Sequence, residues 1–257
     1  MLNQLCIQAH SSSLRCGGSL CTVRNDNRAC AFTLAEVLIT LTIIGVIAAL
    51  TIPNLLQKYQ DEALKTAYKK TYNVLNNAYK TVIAETGPLD CNYIQVGNMK
   101  YGSSAGTDCN LLYEKLFGNA LKIVKQCKNY AAQNGCLPEN GYKDGKDILM
   151  ESGKTEEEAT TYVTSGCAAI KKRNIDISLP VRILSDGQIL IGSGNILFVD
   201  INGKKGPNKW GYDLFEFDIW QDKSGNTTFI PGGTSCVIKE KGGKTPTEMY
   251  RSVILNK

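Results

Sequence analysis

Ala31-Phe-Thr-Leu-Ala-Glu36-Val-Leu-Ile-Thr-Leu-Thr-Ile-Ile-Gly45-Val-Ile-Ala-Ala-Leu-Thr-Ile-Pro53-Asn-Leu-Leu-Gln57 decides the fold. Its 21 residues from Val37 to Gln57 carry no charge. As a helix they span ~31 Å, one hydrocarbon core. A carboxylate, Glu36, stands at the edge of that run. Such a group is costly next to lipid, so it marks function and calls for a cationic partner.

Downstream the helical pattern continues. Leu64, Ala67, Tyr68, Thr71, Leu75, Ala78 and Val82 recur at spacings of three and four, a single helix face. Lys58, Lys65, Lys69, Lys70 and Lys80 lie mostly off it. Gly87-Pro88 ends the pattern. One helix from Phe32 to about Thr86 would be ~80 Å long, half in lipid and half against a soluble domain. Gly45 and Pro53 lie inside it, and Pro53 is expected to bend it.

A cysteine-bearing region follows. The spacing predicts a helix from about Asn110 to Gln126, capped by Thr107 or Asp108. A short helix begins after Thr155, where Thr155 and Glu158 form a capping box. From Ser178 the period becomes two. Pro180–Leu184, Gln188–Ile191, Ile196–Ile201 and Asp213–Trp220 read as strands, the first two joined by a turn at Ser185-Asp-Gly187. The expected class is α+β: a long N-terminal helix packed on an antiparallel meander, with a cysteine-containing α/loop insert.

Composition narrows the function. Hydrophobic content of 43% and charged content of 21% are those of a folded domain. Beyond Ala31 there are 26 basic and 23 acidic residues, a net +3, too weak and dispersed to argue for nucleic acid as a main partner. The one histidine, His10, precedes the apolar run. Ser-His and Cys-His nucleophilic pairs and H-E-x-x-H zinc sites are therefore unavailable after Phe32. Gly192-Ser-Gly194 is too short for a nucleophile elbow, and Gly243-Lys-Thr245 lacks the earlier glycine of a phosphate loop.

Of ten cysteines, Cys6, Cys16, Cys21 and Cys30 precede the run. Cys91, Cys109, Cys127, Cys136, Cys167 and Cys236 follow it. Six on one side of a membrane segment suggest three disulfides and an oxidising compartment. Fifteen pairings are open in principle. Cys127 with Cys136 makes a local loop, and Cys91 with Cys109 is a second plausible pair, leaving Cys167 with Cys236. Free buried thiols are the alternative; zinc is disfavoured, with no C-x-x-C and no accompanying histidine.

The motif Ala31-Phe32-Thr-Leu-Ala-Glu36 ahead of the apolar run resembles the type IV prepilin class, including the pseudopilins of type II secretion. The resemblance implies a leader, residues 1–31, cut between Ala31 and Phe32 by a membrane prepilin peptidase. It implies N-methylation of Phe32 and an assembly role for Glu36. The family often has Gly and Pro within the helix, matching Gly45 and Pro53. The implied organisation is a transmembrane and filament-core segment over 32–57, then an extracytoplasmic α+β domain over 58–257 with a pilin-like fold. The chain departs from the pattern in having Ala31 where Gly is usual, and in its long leader. A start at Val23 would leave a nine-residue basic leader, typical of the class.

The resemblance further implies a single-pass protein of the cytoplasmic (inner) membrane. Its partners would be the lipid bilayer, prepilin peptidase, a membrane assembly platform and other pilin or pseudopilin subunits in a helical filament. The positive-inside rule does not decide orientation, because lysines follow the run as closely as arginines precede it; the cysteines and the family place the C-terminal domain outside. Asp200, Asn202 and Asp213 flank a Gly/Pro-rich loop comparable to one that binds calcium in several major pseudopilins. An Asx-stabilised turn is the alternative there. The expected function is a non-enzymatic structural subunit, pseudopilin or minor pilin. The competing reading is a pilin-like adhesion or DNA-uptake module at a filament tip, with Lys171-Lys-Arg173 and Lys204-Lys205 as its candidate basic faces.

Overall fold

The computed structural model describes residues 34–89, 109–165, 167–192, 197–221, 227–232 and 236–255. The chain divides into two compact units, Met1–Pro53 and Asn54–Lys257. Helix α1, Leu34–Thr86, supplies the described part of the first and the opening of the second. Gly87 closes α1: at φ +77°, a left-handed conformation suited to glycine, its N–H donates to the Ile83 carbonyl at 2.9 Å.

In the first unit the apolar side chains point outward. Leu38, Ile39, Leu41, Ile44 and Leu50 are all more than half exposed. The most apolar stretch of α1 is long enough to cross a membrane and none of it is buried within the molecule.

The second unit is a six-stranded antiparallel meander, each strand bonded to the next in chain order: β1 Ile123–Cys127, β2 Val181–Leu184, β3 Ile189–Ile191, β4 Leu197–Asp200, β5 Leu214–Gln221 and β6 Thr227–Pro231. Period-two alternation sends Phe215, Phe217 and Ile219 to one face and Leu214, Glu216 and Asp218 to the other.

The first face packs on α1 and on α6, Pro246–Val253. Leu64, Tyr68, Thr71, Leu75, Ala78, Tyr79 and Val82 form the buried stripe of α1. The Tyr68 ring lies 5.1 Å from Phe215 and 5.3 Å from Phe217. Thr71 is tolerated there because its hydroxyl donates to the Ala67 carbonyl at 3.0 Å. Asn76 reaches over the sheet edge, where its Oδ1 accepts from the Phe229 N–H at 2.9 Å and the Thr228 hydroxyl at 2.6 Å.

The second face is covered by the insert between α1 and β2. Its first helix, α2 Cys109–Lys115, instead adds Leu112 to the core on the first face; α3 Gly145–Glu151, α4 Glu156–Thr164 and α5 Lys172–Ile177 cover the second. Cys127 is bonded to Cys136, and Cys167 to Cys236, with Cα separations of 6.3 and 5.3 Å. All four cysteines are buried in this second core. The pairing of Cys91 with Cys109, the caps at Thr107 and Asp108, and Ile196 lie outside the described residues or side chains.

The helix expected over Asn110–Gln126 is corrected. It stops at Lys115, one wider helical turn follows over Leu116–Ala120, and Ile123–Cys127 is the edge strand β1. Gly118-Asn119 disfavours helix, and β-branched Ile123 and Val124 favour extended chain. Pairing with β2 and the Cys127 bond hold the strand in place. The capping box at Thr155 and Glu158 is present in both directions.

Two glycines fix the loops at the Leu214 end of the sheet. Gly187, at φ +90°, closes the β2–β3 turn through its N–H to the Leu184 carbonyl. A Cβ on Gly203 would stand 2.0 Å from the Gly187 carbonyl oxygen, so the β4–β5 loop lies directly on that turn.

Candidate functional site

Glu36 sits in the first turn of α1, exposed, where the helix dipole favours an anion. The hydroxyls of the apolar segment are internally satisfied: Thr40, Thr42 and Thr51 donate to the carbonyls of Val37, Leu38 and Ile47 at 2.7–3.0 Å. This lets them face hydrocarbon without an unpaired donor. At Gly45 an added Cβ would meet nothing within 4 Å. Its own fold therefore does not need the glycine. Pro53 lies within the helix and has no N–H to give to the Ala49 carbonyl. Ala31 and Phe32 lie outside the described residues.

A second site gathers on the β4–β5 loop. Asp200 and Asp213 are both fully buried. Asp213 Oδ1 and Oδ2 accept the consecutive N–H groups of Lys209 and Asn208, each at 2.7 Å. Asn208 adopts the left-handed conformation, φ +56°, that aims both at the carboxylate. Asp200 Oδ1 accepts from the Asn202 N–H at 3.3 Å, an Asx turn, and Oδ2 from the Tyr142 hydroxyl at 2.8 Å. Burial first, and then the charge of Asp213, pushes the Asp200 carboxyl well above the usual range; burial also raises Asp213.

Two amide oxygens on this loop, Asn202 Oδ1 and Asn208 Oδ1, are buried without a hydrogen-bond partner. Asn202 Nδ2 is committed to the Gly206 carbonyl at 2.7 Å. The sequence-derived trio Asp200, Asn202 and Asp213 is thus brought together, as an oxygen-rich set with unused acceptor capacity. Among the described residues no group of three or more His, Cys, Asp or Glu side chains is assembled as a metal site. Hard-cation binding here would rest on two carboxylates with amide and carbonyl oxygens. Tyr142 was not legible from sequence: it stands 58 residues before Asp200, in the insert.

Glu216 and Asp218 escaped the sequence reading too. They alternate with the apolar residues of β5, yet both are buried on the second face. Glu216 Oε2 has no hydrogen-bond partner. Burial, then the charge of Asp218, raises the Glu216 carboxyl to about 8. A raised carboxyl favours the folded state in its protonated form. Its contribution is complete below about pH 4.5 and is lost as pH rises to about 8. Glu216→Gln is expected to flatten the fall in melting temperature between pH 5 and 8, measured by circular dichroism. An unchanged slope would exclude Glu216 as its source.

Comparison with known proteins bears on the N-terminal site. Residues 26–52 match the family model described as the prokaryotic N-terminal methylation motif. No curated protein and no solved structure matches the chain. The matched span contains Ala31, Phe32, Glu36 and Gly45 and stops one residue short of Pro53. The chain thus carries the prokaryotic N-terminal methylation motif across the exposed apolar start of α1, followed by an α+β domain, consistent with a type IV prepilin-like protein.

Proposed function

We propose that the chain is a structural subunit, a pseudopilin or minor pilin, rather than an enzyme. Prepilin peptidase cuts between Ala31 and Phe32, the new amine of Phe32 is methylated, and the subunit assembles into a type II secretion or type IV pilus-like filament. The observation that carries this reading is the methylation motif over residues 26–52, which includes the apolar, uncovered first part of α1. In the membrane, lipid covers residues 32–57; in the filament, neighbouring helices do. Head-to-tail association of identical subunits gives a heterologous interface and an open helical array. Gly45, unconstrained by its own chain, suits close approach of a neighbouring helix. Glu36 pairs with a neighbour's Phe32 amine and sets the axial register. Pro53 bends the helix where it leaves the apolar core.

The test is mass spectrometry of the N-terminus of protein extracted from native membranes. The expected product begins at N-methylated Phe32. An intact leader would overturn the reading.

Calcium belongs to the same proposal. Asp200, Asp213, Asn202 and Asn208 would hold it, and the two partnerless buried amide oxygens support the fit. The ion supplies positive charge between two buried carboxylates that otherwise repel each other. Saturating calcium should raise the melting temperature of the full chain in detergent by about 5 °C or more over chelator, the scale expected at about 100 times the dissociation constant. Asp200→Asn should abolish the shift. Equal melting temperatures with and without calcium would refute the site.

A further inference from the structure

Within the second unit, the direction of β5 along α1 determines which loops lie at the Gln57 end of the helix. Tyr68 meets Phe215 and Phe217, while Asn76, two turns further on, bonds Thr228 and Phe229, which stand opposite Trp220 and Ile219. Strand and helix therefore run in the same sense. The Leu214 end of the sheet points back to Gln57, where the apolar run ends, eleven residues before Tyr68 and ~16 Å along the helix.

Side-chain and backbone contacts tie together the loops at that end. The Tyr68 hydroxyl donates to the Pro246 carbonyl at 3.4 Å. Lys70 pairs with Asp186 of the β2–β3 turn at 2.8 Å. Gly187 of that turn packs against Gly203. The Tyr212 hydroxyl donates to the Lys241 carbonyl, and the Lys244 N–H to the Gly211 carbonyl.

These loops are rich in lysine. Lys204, Lys205, Lys209, Lys239 and Lys241 are exposed, and Lys244 is half-buried. Most nearby acids are already engaged: Asp186 by Lys70, Glu62 by Lys65, Glu248 by Lys239, and Glu240 by the Trp210 N–H at 3.2 Å; Asp61 on α1 is exposed and, among the described residues, in no ion pair. Asp200 and Asp213 are buried beneath. Among the described residues, Lys205, Lys209, Lys241 and Lys244 make no ion pair. Tyr59, 73% exposed two residues beyond Gln57, suits the headgroup level.

We propose that this lysine-bearing end of the domain is a docking surface for anionic lipid headgroups, holding the domain down on the bilayer before the subunit leaves it. The proposal rests on the membrane-anchored reading above. Each lysine near an anionic surface gains by charge attraction, which fades within a Debye length and with salt. An acidic partner protein is the competing occupant.

The experiment uses the full chain in nanodiscs, either pure phosphatidylcholine or containing phosphatidylglycerol. Amine acetylation is read residue by residue by mass spectrometry. Lys205, Lys209 and Lys241 should react about five-fold more slowly in the anionic discs, the factor corresponding to ~1 kcal/mol per lysine. High salt should remove the difference. Lys80, ~35 Å along α1 from Gln57, should not respond. Equal reactivity in the two lipids, as expected if the face serves only an acidic protein, overturns the proposal, as does protection shared equally by Lys80. Failure of the chain to enter either disc would overturn the anchoring itself and the proposal with it.

Discussion

Replacing Cys167 and Cys236 together by alanine should lower the stability of the domain by about 4 kcal/mol. That is what closing a loop of this size removes from the unfolded chain on the chain-entropy account. The two residues are 69 apart in sequence and both are buried, in the core that joins the insert to the second face of the sheet. For a domain of this size, about 4 kcal/mol corresponds to a fall in melting temperature of roughly 8–16 °C. Alanine is the appropriate replacement because a buried serine hydroxyl would add a desolvation cost of its own. The same change at Cys127 and Cys136, nine apart, should cost about 3 kcal/mol. Non-reducing mass spectrometry of the wild type and thermal unfolding of the variants check both. Two variants that melt with the wild type would mean that packing alone holds the insert.

Glu36→Leu should reduce filament yield by about ten-fold or more while cleavage at Ala31–Phe32 continues. Ten-fold in assembly corresponds to only about 1.4 kcal/mol per subunit. A charge pair in a lipid-like medium readily supplies that much, because its alternative is an unpaired carboxylate costing ~2.5–3.5 kcal/mol on insertion scales. Leucine removes that insertion cost, so the variant should enter the membrane at least as well as the wild type. The defect should therefore appear only in sheared-fibre yield, not in membrane-fraction abundance or in the mass of the mature N-terminus. Fibres at wild-type yield would show that apolar packing sets the register without Glu36.

What could be read from the sequence followed from single-chain periodicity. The α1 stripe from Leu64 to Val82 repeats every three or four residues because one face is buried, and each of those positions lies in or against the core. The strands after Ser178 were legible as short apolar runs between turn residues, although both of their faces are buried. β1 was hidden because Asn110–Gln126 contains enough helix formers to mask Ile123 and Val124, and its partner β2 lies more than fifty residues away. α6 was missed although Thr245, Pro246 and Glu248 spell out its start: a capping box with proline at the first position. At the β4–β5 loop the trio of oxygen donors was singled out by the loop's resemblance to a calcium-binding loop of pseudopilins. Tyr142 was not, because it reaches Asp200 from the far side of the insert. Glu216 and Asp218 looked like the polar side of a half-solvated strand; the insert makes that side a second interior.

Asn76 gives the sheet a definite end. Its side-chain oxygen occupies the Phe229 N–H that an incoming strand would need, and Pro231 closes the same strand with a residue that has no N–H to offer. A chain crowded among identical copies thus has strand-on-strand growth capped on the β6 side. Copies that meet at that edge do so through side chains rather than through the backbone of β6.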